Sequence, residues 1–348
     1  MFSTQRTSDS NSLLTPNIIS QRTKLPVVYA PEYNITSQVI KNALPSFLDA
    51  SKRQKIYENL FKNLKLDSSL YHLPPDMHTD ALELVHSKRY IFNLQHYSKT
   101  VRSAFENLST FQSLEHNDLY MGLVKPMLKA TSGTIYALDL ALQYGWSINL
   151  SGGFHHAEAT KGAGFCFFAD LAIAAKLALL RLSANQKILI VDLDAHQGNG
   201  TALTLFNEPN VVLIDFYNSI NKPYSEKASQ RINYNFKLDP LISDREYLAL
   251  LNQTLNYVMS QHNFGLIIFN AGADIVANDK IGKMNISDEA LLERDRLVFQ
   301  QAFNHNIPIL ATLSGAYRSD ASQLIAESFY RIIKETTYYK GLKSEIIS

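Results

Sequence analysis

The chain has 348 residues, 46% of them hydrophobic, enough to bury the core of one large α/β domain or of two smaller ones. Thirty-three Lys and Arg stand against 32 Asp and Glu, a formal net charge of +1, so no bulk basic charge argues for an anionic membrane or for nucleic acid, and no direct nucleic-acid binding is expected. A single cysteine, Cys166, excludes an intrachain disulfide framework and a Cys-rich zinc cluster.

Residues 1–24 are rich in Ser, Thr and Asn and lack the unbroken apolar stretch of a signal peptide, while no apolar run approaches membrane-spanning length. They predict a polar, flexible leader on a soluble, cytoplasmic protein; nuclear residence and export by a non-classical signal are not tested by this pattern. The catalytic domain is expected over 25–338, with a C-terminal tail at 339–348. Residues 25–30 (LPVVYA) read as a first strand, closed by Pro31 and a polar turn around Tyr33 and Asn34. Ile56, Leu60 and Leu64 repeat every fourth position and predict a helix over 51–64. Pro74 and Pro75 then break the chain, and Leu82, Val85, His86, Tyr90 and Leu94 mark a second helical stretch. Residues 99–121 carry no clear period and read as a long surface loop or lid. Nothing repeats internally.

From Pro126 the pattern sharpens. A helix to about Tyr144 closes on Gly145, which suits a left-handed cap, and a short strand over 147–150 leads to the sequence GGFHH. A helix follows with Phe168, Leu171, Ala172, Ala175, Leu179 and Leu182 on one face. Strands near 188–191, 211–216, 266–269 and 309–313 then alternate with helices near 246–260, 287–305 and 320–333. Such alternation predicts a parallel sheet with helices on both faces.

The organising stretch is ILIVDLDAHQGNGT, residues 188–201. Side chains alternate along extended backbone, so Asp192, Asp194 and His196 are expected on one side, a donor set that suits zinc or another first-row divalent ion. Read alone, the same stretch is also a strand ending in a polar loop, with Asp capping backbone N–H groups. Three further strand ends carry unusual residues: GGFHH (152–156), NAGAD (270–274) and SGAY (314–317). Ligands bind beyond the carboxyl ends of strands in open α/β sheets, so these distant tips can converge. Asp194, His196 and Asp274 would then hold a metal whose coordination stays open to water. His155 and His156 would serve as acid and base, set apart by a carboxylate partner such as Asp192 and an amide partner such as Asn199. Tyr317 would donate a neutral hydroxyl to a developing oxyanion. A His-His turn, a strand exit or a packed ring explains each tip singly; all four together argue for chemistry.

VVYAPEYNI (27–35), GWSINLSGGFHHAEATKGAGFCFFAD (145–170), DLDAHQGNGT (192–201), NAGADI (270–275) and RDRLVF (294–299) together resemble the zinc-dependent histone deacetylases of the arginase/deacetylase superfamily. Gln197 and Asn199 point to the class IV branch. The resemblance runs from about Val27 to Ile333 and implies a single-domain α/β fold around a parallel sheet of about eight strands. It implies one Zn2+ per chain on Asp194, His196 and Asp274, with His156 as general base, His155 beside it, and Tyr317 polarising the carbonyl. Gly153, Gly164 and Phe165 become substrate-binding residues, the last two in the wall of an acyl-lysine tunnel with Cys166 packed behind. Family members also hold K+ near the central strand, for which Asp192 is the leading ligand and Asp215 a weaker one.

The implied activity is removal of an acyl group, acetyl or longer, from the Nε of lysine in proteins or peptides, histone tails among them, by metal-activated water. The alternatives are an acetylpolyamine amidohydrolase and a non-catalytic binding module that keeps the fold. Ala316, Ser151 and Ala163 stand where the family commonly has glycine, and LPSF at 44–47 departs from a His-Pro ahead of its Phe. The three glycine replacements remove no chemical group, so activity is expected to survive them, whereas LPSF lacks the histidine and with it whatever that side chain does.

Overall fold

Apolar runs too short for helices become strands here. The computed structural model describes residues 24–336; residues 1–23 of the expected leader and the tail at 339–348 lie outside the described residues. Seven parallel strands, β1 (Val27–Val28), β2 (Trp146–Asn149), β3 (Lys187–Asp192), β4 (Val211–Asn218), β5 (Tyr234–Leu238), β6 (Phe264–Ala271) and β7 (Ile309–Leu313), form one sheet in the order β1-β2-β7-β6-β3-β4-β5. β3 and β6 sit at its centre with every residue from Ile188 to Asp192 and from Phe264 to Ala271 buried, as a strand covered on both faces requires. The α/β class and the parallel sheet are as expected, with seven strands among the described residues where the resemblance implies about eight.

The long helices start and stop where their sequences say. Lys125–Tyr144 ends on Gly145 at φ 82°, whose N–H returns to the Ala141 carbonyl at 2.8 Å. Asp244–Gln261 opens with a reciprocal capping box between Ser243 and Glu246, and Asp288–Asn304 is capped by Ser287. Lys52–Leu64 packs against Ala321–Glu335.

Residues 99–121 correct the expectation of a loop or lid. They form the end of the helix Ser98–Ala104, a 3-10 turn at Ser109–Phe111 and the short helix His116–Leu119, and Val101, Ala104, Phe105, Phe111 and Leu119 are buried in a second apolar cluster. Each piece contributes only one to three core residues, so no period survives across the window. The edge strand β5 was also not anticipated, although Tyr234, Phe236 and Leu238 alternate with Asn235 and Lys237 as a half-exposed strand should.

A row of polar side chains crosses the carboxyl end of the sheet in register: Asn149 on β2, Thr312 on β7, Asn270 on β6, Asp192 on β3 and Asp215 on β4. Buried polar groups are mostly satisfied by one another, and in this row, among the described residues, all but Asp215 Oδ1 are. Tyr33 donates to Asn149 at 3.0 Å, Thr312 to Asn270 at 3.2 Å, and Asn270 Nδ2 to Asp192 Oδ1 at 2.8 Å. The row is the floor on which the reactive groups stand.

Candidate active site

β3 stops at Asp192, and the chain turns at once. Asp194 and His196 are therefore brought together by the bend at 193–196 rather than by strand alternation. The strand-tip loop after β6 delivers Asp274. The ligand atoms of Asp194, His196 and Asp274 all lie within 4.8 Å of one another, and all three residues are buried. His196 Nδ1 stands 3.0 Å from both Asp194 Oδ1 and Asp274 Oδ2. One ring nitrogen carries at most one hydrogen; it serves Asp194, and Asp274 Oδ2 is left a buried oxygen with no donor. An orphaned carboxylate oxygen aimed at a second carboxylate and an imidazole fits a divalent cation, and the donor set of one nitrogen and two oxygens is one that first-row divalent ions accept. Burial beside Asp194 raises the Asp274 carboxyl to about 6, the electrostatic sign of two like charges in one place.

The other carboxylate oxygens are fixed by backbone. Ala195 N donates to Asp274 Oδ1 at 2.9 Å, His196 N to Asp194 Oδ1 at 2.9 Å, and Gly315 N to Asp194 Oδ2 at 2.7 Å. A Cβ at Gly315 would lie 2.4 Å from Asp274 Oδ2, so glycine is required for β7's exit to pass so close. Behind the ligands, the fully buried Arg294 donates to the carbonyls of Leu193 at 3.0 Å and Gly272 at 2.6 Å and pairs with Asp295. It ties two ligand-bearing loops to one helix.

His155 and His156 lie on the same pocket, ring centroids 4.1 Å apart. Their Nδ1 partners differ in charge. His155 meets Asp192 Oδ2 at 2.8 Å and His156 meets Asn199 Oδ1 at 2.7 Å. Burial alone would lower His155, but Asp192 and Asp194 outweigh it and hold the imidazole at about 9. Burial, with the positive charges of His155 and His196, takes His156 well below its ordinary value. The two rings are thus pushed in opposite directions, His155 up and His156 down.

Tyr317 lines the same pocket, and burial followed by Asp274 and Asp194 holds its phenol well above the ordinary range, so it is a neutral donor. Its backbone, with that of Arg318, donates to Asp279 Oδ2 at 2.7 and 3.1 Å. Ala316 is accommodated without left-handed backbone, and its carbonyl accepts from Lys52 Nζ at 3.2 Å. Gly164 packs on the His156 ring, which a Cβ would meet at 2.2 Å, and Gly153 presses on the Leu313 carbonyl at 1.8 Å by the same measure. Phe165, at φ 65°, faces Phe105 and Phe47 across ring centroids of 5.3 and 6.1 Å; Cys166 lines the pocket beside it, rather than packing behind, with a thiol that burial pushes up. Asp192 has both oxygens occupied, whereas Asp215 Oδ1 takes no donor among the described residues.

Asp170, Asn270, Asp279 and Arg294 were not singled out from sequence. Asp170 stands inside GFCFFAD, yet nothing in a lone Asp shows that it reaches back to accept from Gly153 N at 2.9 Å, Phe154 N at 2.8 Å and Thr134 Oγ1 at 2.6 Å. Asp170→Ala would strand three buried donors at about 1 to 3 kcal/mol each, so a loss of at least about 3 kcal/mol is expected in urea unfolding; a loss below about 1 kcal/mol would contradict this account.

The chain matches the family model described as "Histone deacetylase domain" over residues 47–333. It is 31% identical over 312 residues to histone deacetylase 2 of Arabidopsis thaliana, covering 90% of this chain and 79% of that protein. An uncharacterised protein of Picosynechococcus is 36% identical over 204 residues, 59% of this chain and 67% of its own length. The acetoin utilization protein AcuC of Staphylococcus aureus is 27% identical over 255 residues, 69% of this chain and 64% of its own.

Proposed function

The chain belongs to the histone deacetylase family, and from that premise we propose that it is a zinc-dependent amidohydrolase that removes an acyl group from the Nε of lysine in a protein or peptide. One observation carries the reading: the Asp194–His196–Asp274 cluster opens on the same pocket as His155, His156 and Tyr317. Zinc held by Asp194, His196 and Asp274 would polarise the acyl carbonyl and bring the pKa of water to about 7.

The remaining work falls to the chain's own groups. With Nδ1–H given to Asn199, His156 presents a bare Nε2 and takes the proton of the attacking water. Tyr317 donates its hydroxyl hydrogen to the oxygen that gains charge. A protonated histidine then gives a proton to the lysine amine as the C–N bond breaks, and Asp192 keeps His155 in the charged form that supplies positive potential nearby. Gly153, Gly164 and Phe165 line the approach, and the amide at Asn199 beside Gln197 supports the class IV likeness. A monovalent cation such as K+ would find its free carboxylate oxygen on Asp215, next to Asp192. No helix among the described residues is long and apolar enough to cross a membrane.

The test is turnover of an acetyl-lysine peptide, with acetylspermidine in parallel. Activity on the peptide is expected to fall to background on chelation and to return with about one equivalent of zinc. Preference for acetylspermidine moves the substrate to a polyamine, and zinc-loaded protein inert on every acyl chain length removes the hydrolase reading.

A further inference from the structure

The pocket contains a cation that this chemistry does not use. Beside Tyr317 its wall is completed by Lys52 and Arg53, from the first turn of the helix Lys52–Leu64. Lys52 is occupied: its Nζ donates to the Ala316 carbonyl and lies 5.8 Å from the Tyr317 ring centroid. Burial, with the neighbouring charge of Arg53, lowers it to about 7. Arg53 keeps its charge at any ordinary pH.

Arg53 is partly buried, and among the described residues its guanidinium has neither a hydrogen-bond acceptor nor an ion pair. Asp49 shares the wall but is committed elsewhere, with Oδ2 on Lys55 Nζ at 2.7 Å and Oδ1 on the backbone and hydroxyl of Ser51 at 2.9 Å. A guanidinium has five N–H donors in a fork that matches a carboxylate, and one left over inside a pocket lacks its natural complement. Much of the remaining lining is apolar, with Ile35, Leu44, Phe105 and Met127 among it. The chamber therefore offers a surface for methylenes and a single unmatched positive group.

We propose that Arg53 makes this pocket selective for acyl groups that end in a carboxylate, of the succinyl or glutaryl kind, the methylenes against the apolar wall and the terminal carboxylate paired with the guanidinium. The inference rests on the hydrolase reading above and deepens it. The reaction itself is unchanged: the oxygen of water bonds to the acyl carbon, the C–N bond breaks, the lysine amine leaves with a proton, and the diacid is freed. The terminal carboxylate takes no part in bond making. A carboxylate also appears when any acyl group is released, and the experiment must separate the two sources.

The comparison uses the full zinc-loaded chain and two peptides of one sequence, carrying glutaryl-lysine or hexanoyl-lysine, its neutral match in length. The ratio of their kcat/KM values, glutaryl over hexanoyl, is expected to fall about ten-fold or more in Arg53→Met and to be largely kept in Arg53→Lys. An equal fall on both peptides assigns Arg53 to the released acid or to the fold and overturns the proposal, as does an unchanged ratio. Binding to the His156→Ala protein by fluorescence anisotropy supplies the second readout, with glutaryl preferred over hexanoyl only while Arg53 is present. A preference in binding with no turnover of either peptide removes the hydrolase reading and leaves this one standing; no preference in binding removes this one.

Discussion

His156→Ala is expected to lower kcat on an acetyl-lysine peptide by about 10³-fold, near the middle of the range that general-base catalysis supplies, with a loss of stability of only about 1 to 3 kcal/mol. The expectation follows from how its two nitrogens are used. Nδ1 is 2.7 Å from Asn199 Oδ1, an acceptor, so the ring hydrogen sits there and Nε2 holds a lone pair in the pocket. Burial takes the ring well below its ordinary value and keeps that lone pair free near neutral pH. Alanine removes it and leaves the buried Asn199 amide oxygen without its partner, at about 1 to 3 kcal/mol. His155→Ala makes the contrast: it strands the buried Asp192 carboxylate opposite Asp194, so its larger effect is expected in the unfolding midpoint. A kcat within two-fold of wild type for His156→Ala, or identical stability profiles for the two variants, would remove the assignment of base and partner.

The strand tips were legible because chemistry is local at a tip. DLDAH, NAGAD and SGAY each announce their polar groups within five residues, and β-branched runs before them fix where the sheet ends. The supporting groups were not legible, since their partners are remote in sequence: Arg294 reaches a carbonyl 101 residues away, and Asp279 meets the Tyr317 backbone from 38 residues away. A buried Arg and a surface Arg read alike along a chain. Residues 99–121 failed for a different reason, because short helices that each bury one to three side chains produce no periodic signal. The alternation argument for Asp192, Asp194 and His196 does not describe how these residues are placed. Asp192 belongs to the strand and supports His155, while the other two owe their placement to the bend that follows.

Asp274→Asn should abolish turnover, by about 10³-fold or more, and at the same time stabilise the metal-free protein. Both effects have one cause. Asparagine keeps the Oδ1 that accepts from Ala195 N at 2.9 Å, so the loop stays anchored, but it removes the charge from the oxygen that has no donor and faces Asp194. Two buried carboxylates converging on one imidazole repel unless a cation sits among them, and relieving an unsatisfied charge of this kind is worth on the order of 1 to 3 kcal/mol. Metal inverts the ranking. At zinc concentrations about 1,000 times the dissociation constant, the wild type gains about 4 kcal/mol that a variant unable to bind does not. Melting curves of both proteins, with chelator and with zinc, should therefore cross: the variant higher without metal, the wild type higher with it, and bound zinc falling from one per chain to below about 0.1. Curves that keep one order in both conditions would mean that the cluster is a satisfied polar core and not a site held open, under strain, for an ion.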